Sequence, residues 1–166
     1  TPYDCRRGDV FIKGVLNGQQ TVASTRYVYV VGDLTYSDPA TDMLGLVGTN
    51  AVWVWNPINS SNQTLLTDSG REVDASILST AHSFQVQNYN QGSLRGYLTV
   101  KGSIAQNFRG TVAIGGSTGY IKKYIYDPRL KFTAPPKFLS PVTTSYGVTT
   151  SIDTAAAFAA DGNFKP

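Results

Sequence analysis

One spaced pattern, apolar, any, apolar, any, Gly, any, apolar, occurs three times: as Val10, Ile12, Gly14, Leu16; as Val28, Val30, Gly32, Leu34; and as Leu98, Val100, Gly102, Ile104. Alternation with period two marks a strand with one buried face, and a glycine inside it marks a bend or a close backbone approach. Each copy therefore reads as strand, corner, strand. Weaker strand signals at Val52 to Trp55 and Val73 to Ile77 complete a series starting near 10, 28, 52, 75 and 98, with steps of 18, 24, 23 and 23 residues. Steps of about 20 to 25 residues suit successive coils of a parallel β-solenoid, each coil being a few short strands joined by turns. The series predicts that Val10, Val28, Val52, Ala75 and Leu98 stack along one inner wall. An antiparallel β-sandwich, whose strands recur every 8 to 12 residues or so, is the alternative.

Turn chemistry falls between the apolar segments. Asn17-Gly18, Ser37-Asp38-Pro39, Asn56-Pro57, Asn90-Gln91-Gly92, Gly115-Gly116 and Asp127-Pro128 are all local breakers. Ile58 to Gly70 is the most polar stretch and reads as an excursion from the core. Past Pro135-Pro136 the alternation fades, which predicts a solenoid domain over 1–132 and a C-terminal cap or arm over 133–166. The only helix-like stretch surrounds Ala155, Ala156, Ala157, Ala159 and Ala160, and it is short for an isolated helix.

Composition narrows the function. Charged residues make up 15% of the 166, against about 25% in an ordinary soluble protein. The net charge is +3, without a Lys/Arg run dense enough for phosphate binding, so nucleic acid is not an expected partner. No apolar stretch approaches the roughly 18 residues of a membrane span. Opening at Thr1 rather than Met, the chain reads as a processed product or an excised domain. Cys5 is the single cysteine, so it pairs only with something outside the chain or stays a free thiol.

Several ordered segments carry a resemblance. Gly32-Asp33-Leu34-Thr35-Tyr36, Asp42-Met43-Leu44-Gly45-Leu46-Val47, Val52-Trp53-Val54-Trp55, Ala75-Ser76-Ile77-Leu78, and His82 to Tyr89 come first. Leu98 to Ile104, Phe108-Arg109-Gly110, Tyr126-Asp127-Pro128-Arg129-Leu130 and Pro135-Pro136 follow in the same order. Together, over residues 8 to 148, they resemble the C-terminal domain of largely uncharacterised bacterial surface proteins, often preceded by a pilin-like or pilus-assembly-associated region. The Gly-Asp-Leu coils are more weakly similar to the polymerising β-solenoid bactofilins. The resemblance implies a β-solenoid-like domain at the cell surface and brings no catalytic residues.

Candidate sites follow from residue chemistry. The aromatic group Trp53, Trp55, Tyr120, Tyr124 and Tyr126, with Phe132 and the nearby Lys122, Lys123, Arg129 and Lys131, is the candidate contact surface. Exposed rings of this kind stack on sugars or anchor protein partners. Both tryptophans point away from Val52 and Val54, so one of the two pairs faces away from the core. His82 is the only histidine, so a triad would need it beside Ser79, Ser83 or Cys5. One His and one Cys do not make a zinc site. Asp38 with Asp42 could offer calcium two ligands, and paired carboxylates among Asp33, Asp38, Asp42, Asp68, Glu72 and Asp74 could hydrolyse glycosides, but no spacing selects either chemistry. Arg7-Gly8-Asp9 spells the integrin tripeptide and is also ordinary turn chemistry before a strand. Asn59 and Asn62 have the form of glycosylation acceptors. The expected function is a non-catalytic extracellular structural domain, surface- or filament-associated, with no cofactor and no metal. Its expected partners are other subunits or its own copies, with a polysaccharide-binding adhesin as the alternative and a carbohydrate-active enzyme behind that.

Overall fold

The computed structural model describes residues 8–139 together with 147, 161 and 163. Ten strands follow one another: β1 (Val10–Leu16), β2 (Gln19–Ser24), β3 (Tyr27–Tyr36), β4 (Met43–Gly48), β5 (Ala51–Val54), β6 (Arg71–Ser79), β7 (Phe84–Val86), β8 (Leu94–Gln106), β9 (Ala113–Ile114) and β10 (Thr118–Tyr126). Strand pairing is parallel throughout, except where β9 turns back on β10. Parallel neighbours cannot be joined by hairpins, so the chain winds between them in about five coils of a β-solenoid.

Three walls enclose the core. In the first, Val10, Val28, Val52 and Phe84 stack in one column, and Ile12, Val30, Val54 and Val86 in the next. In the second, Gly14, Leu34, Val73, Val100 and Tyr124 stack. The third carries Val22, Leu46, Ile77 and Ile104. The inward-facing side chains of the middle coils, among them Val28, Leu46, Val52, Val73 and Ile77, are closed to water. Each buried Val, Leu, Ile or Phe contributes roughly 1.5 to 3 kcal/mol, so the columns are the main source of stability.

The single wall predicted from the spacing holds for Val10, Val28 and Val52 and fails for Ala75 and Leu98. Ala75 pairs with Gly102, and Leu98 with Arg71 and Lys122, all in the run that forms the second wall. Phe84 takes the fourth place in the first wall because the chain from 55 to 70 leaves the coil, closing a small loop by the Ile58–Thr64 bridge. The register also slips at the first corner, where Gly14 pairs with Leu34 instead of Gly32.

The last coil is incomplete. Val112 and Tyr120 close the end of the core above Phe84 and Val86, held by Val86 N–H to Thr111 O (3.1 Å) and Tyr120 N–H to Val112 O (2.9 Å). Beyond Tyr126 the chain turns out through a 3-10 turn, Pro128–Lys131. Among the described residues no strand therefore stacks on Ser103–Gln106 of β8. The described part of the C-terminal segment runs as a strap along the outside of the third wall. Thr21 Oγ1 donates to Pro136 O, and Phe138 packs so close to Gly45 that a Cβ there would collide with it. Residues 133–139 thus cover a side of the solenoid; the rest of the expected cap apart from 147, 161 and 163, including Ala155 to Ala160, lies outside the described residues, as do Cys5 and Arg7. No helix among the described residues is long and apolar enough to cross a membrane.

Candidate functional site

The expected aromatic strip separates into two surfaces and a core residue. On β5 and the residue that follows it, the alternation turns Trp53 and Trp55 outward while Val52 and Val54 fill the core. Phe11 of β1 stacks on Tyr29 of β3 at 4.9 Å and 12°, and Trp55 meets both edge-on at 6.0 and 5.8 Å. Three successive coils each supply a ring to one outer cluster, with Phe11 its exposed member and Trp55 half-buried; Trp53, also half-buried, lies opposite Tyr29 in register. Offset and edge-on ring pairs add about 0.5 to 1.5 kcal/mol beyond their buried area.

The second surface is the last coil. Every residue from Ile121 to Tyr126 is exposed; among the described residues β10 has a strand neighbour on one edge over this stretch and none above. Lys122 and Tyr124 occupy register positions that point inward in earlier coils, opposite Leu98 and Val100. Partial burial pushes the Tyr124 phenol up to about 12, the nearby Arg109 charge opposing. Tyr120 does not belong to either surface: at 0% exposure it plugs the core, which corrects its reading as a contact residue. A hollow of about 390 Å³, lined by Val100, Ser103, Ile104, Tyr124 and Tyr126, lies where the third wall lacks its last strand.

The acidic candidates are structural in their bonding. Asp42 is buried, and its two oxygens accept from Gly18 N–H (2.7 Å) and Asp38 N–H (2.8 Å), tying the turns of coils one and two together. Asp38 is occupied by Ala40 N–H and Thr41 Oγ1. No group of three potential metal ligands occurs among the described residues. The backbone donors at Asp38 and Gly18 hold the Asp42 carboxyl below its ordinary range. A carboxylate depressed in the folded state stabilises above the unfolded value of about 3.9 and loses that contribution as pH falls through the folded value. Asp42→Asn is therefore expected to lower Tm at pH 7 and to leave a shallower acid transition below about pH 4. Parallel Tm-against-pH curves for the two proteins would contradict this.

Ser79 and Ser83 donate to the carbonyls of Asn50 and Phe108, and exposed His82 lies beside the Phe108 ring at 6.2 Å. Asn59 Oδ1 caps its own loop from Ser61 and Gln63 N–H, and Asn62 Oδ1 accepts from Gly92 N–H. Two buried cations escaped the sequence reading. Arg71 binds Asp33 (3.1 Å) and Asp68 (2.8 Å), and Arg95 binds Asp68 (3.1 Å) and the Leu66 carbonyl (3.2 Å). Arg71 shares the inward phase of Val73, Ala75 and Ile77, and that phase was the available signal.

A recess of about 210 Å³ opens at the corner between the second wall and the turn Asp127 to Arg129. Tyr36, Asp74, Lys101, Tyr126, Asp127 and Arg129 line it. Asp127 takes Arg129 Nε (3.0 Å) and Nη2 (2.7 Å), and the guanidinium lies 5.6 Å from the Tyr36 ring centre. Burial works against the charge of Asp127, but these bonds keep its carboxyl below the ordinary value. Burial raises Asp74, and Lys101 only partly opposes this, at 3.9 Å.

Comparison with protein-family models, with curated proteins and with solved structures finds no match to this chain.

Proposed function

We propose that this is a non-catalytic structural domain of the cell surface, working in a filament or pilus-like assembly by end-on association of solenoids. The observation that carries the reading is the unfinished last coil: among the described residues no strand pairs with the upper edge of Ile121 to Tyr126 in β10 or with that of Ser103–Gln106 in β8, and an apolar hollow lies beside them. Unpaired edges next to apolar side chains favour the addition of another strand. The first coil offers the counterpart, with exposed Phe11 and Val15 and a cavity of about 180 Å³ among Ile12, Leu16, Val22, Leu34 and Leu44. First coil against last coil is a heterologous contact, which propagates into fibres when it does not close. The resemblance to pilus-associated surface proteins supports the same location.

Sedimentation velocity over a concentration series tests it. The wild-type chain should grow with concentration, whereas Val15→Glu and Tyr124→Glu, one at each end, should each sediment as monomers. Their equimolar mixture should form dimers and nothing longer, because each variant retains one intact end. A wild-type chain that stays monomeric at its highest attainable concentration would remove the proposal.

A second reading, a polysaccharide-binding adhesin, is favoured by the outer Phe11, Tyr29 and Trp55 cluster, with Trp53 opposite Tyr29 in register, since rings on a rigid wall suit stacking on sugars. Glycan-array binding should then disappear in Trp53→Ala and Trp55→Ala; binding that persists in both counts against it.

A further inference from the structure

The corner recess shares Tyr126 with the hollow of the last coil, but its polar lining, Tyr36, Asp74, Lys101, Asp127 and Arg129, belongs to neither association surface, and its chemistry is specific. Its volume of about 210 Å³ equals roughly seven waters at about 30 Å³ each and falls short of the roughly 300 Å³ of a drug-sized site. That suits one small ring. The lining charges cancel, with Asp74 and Asp127 against Lys101 and Arg129, so neither an anion nor a cation is selected.

Hydrogen-bonding capacity is left over in both senses. Asp74 is 5% exposed, and no donor reaches its Oδ1. Arg129 Nη1 likewise lacks an acceptor. Tyr36 Oη accepts from Leu44 N–H at 3.1 Å, which leaves its own proton free to donate. Buried polar groups without partners cost about 1 to 3 kcal/mol each, so a ligand that satisfies them gains that difference. Tyr126 adds an aromatic face. It sits at the end of the terminal strand and is 54% exposed, so its ring is accessible from solvent.

From this combination we infer that the recess binds a single neutral sugar ring. Asp74 accepts from one ring hydroxyl, Tyr36 and Arg129 donate to others, and Tyr126 covers the ring's apolar face. Hydroxyl groups both donate and accept, which is what a neutral lining with spare groups of both kinds requires. A ligand carrying a carboxylate or an ammonium would instead leave one pair of charges uncompensated.

Saturation-transfer NMR and calorimetry with the methyl glycosides of glucose, galactose and mannose, beside glucuronate and glucosamine, test the inference. At least one neutral glycoside should bind with an about millimolar Kd, as expected for a lone ring. Tyr126→Ala and Asp74→Asn should each weaken it about tenfold, or about 1.4 kcal/mol, while Trp53→Ala leaves it unchanged. Tyr126 is exposed, so its variant keeps the test decisive even if Asp74→Asn unfolds. No signal from any neutral glycoside, preference for a charged sugar, binding that survives Tyr126→Ala, or binding lost in Trp53→Ala would each overturn the assignment. Association is read separately with Tyr124→Glu, whose side chain does not line this recess.

Discussion

Gly102→Ala is expected to cost about 4 kcal/mol, at the upper end of single-substitution effects. Gly102 lies at the corner of β8, paired with Ala75 below and Tyr126 above. A Cβ on it would lie inside the contact radius of the Ala75 carbonyl oxygen and against Ala75 C, both parts of the backbone of the coil beneath. A flexible side chain could swing away; a stacked backbone cannot, so relief requires separating two coils. The φ of 152° adds a conformation that L side chains rarely adopt. Gly14 is the control. It holds the same place in the repeated pattern and has a φ of 120°, yet nothing lies within 4 Å of the point a Cβ would occupy there. Gly14→Ala should therefore cost only backbone strain, about 1 to 2 kcal/mol. Urea unfolding midpoints of the two variants decide the matter. Equal losses would mean that the coil contact at Gly102 is not what demands glycine.

That contrast also shows how far the repeat could be read. Alternation reports which side chains face inward, and it did so for Val28, Val30, Val52, Val54, Val73, Ala75, Leu98 and Val100, all buried. It does not report which wall a strand belongs to, because every wall has the same period and the same apolar phase. A wall is assigned by the length of chain since the last coil, and that length varies. Between Val52 and Phe84 lies the excursion of 55–70, so the true neighbour falls well beyond the expected step, in a strand of three residues with one alternation. Position along the solenoid axis was hidden for a related reason. Tyr120 and Tyr124 look alike in sequence, but one meets Val112 and the closed end of the core while the other sits in a coil on which no strand stacks among the described residues. The corner recess joins residues from 36 to 129, and no local pattern links Tyr36 to Arg129.

The excursion itself is held by charge, and removing Asp68 should show how firmly. Arg71 and Arg95 have side chains only 2% and 7% exposed, and Asp68 bridges them. Breaking a buried pair by deleting one partner costs about 3 to 5 kcal/mol, since the remaining charge is left uncompensated. Asp68 is itself half in water, and Arg71 keeps Asp33, so the expected loss for Asp68→Ala is about 2 to 3 kcal/mol. Arg95 suffers most, being left with the backbone carbonyls of Leu66 and Asp68. Adding Arg95→Met to Asp68→Ala should therefore recover part of the loss, since a buried charge without a partner is replaced by an apolar chain of similar length. Asp33→Ala, at the more exposed partner, should cost under about 1 kcal/mol. Proteolysis within 58–69 should accelerate in Asp68→Ala while the coils stay intact, because Arg95 ties this loop to β8. Strict additivity of Asp68→Ala and Arg95→Met in a double-mutant cycle would show that the two groups do not act on each other, and that the loop is held by its own hydrogen bonds at Asn59 instead.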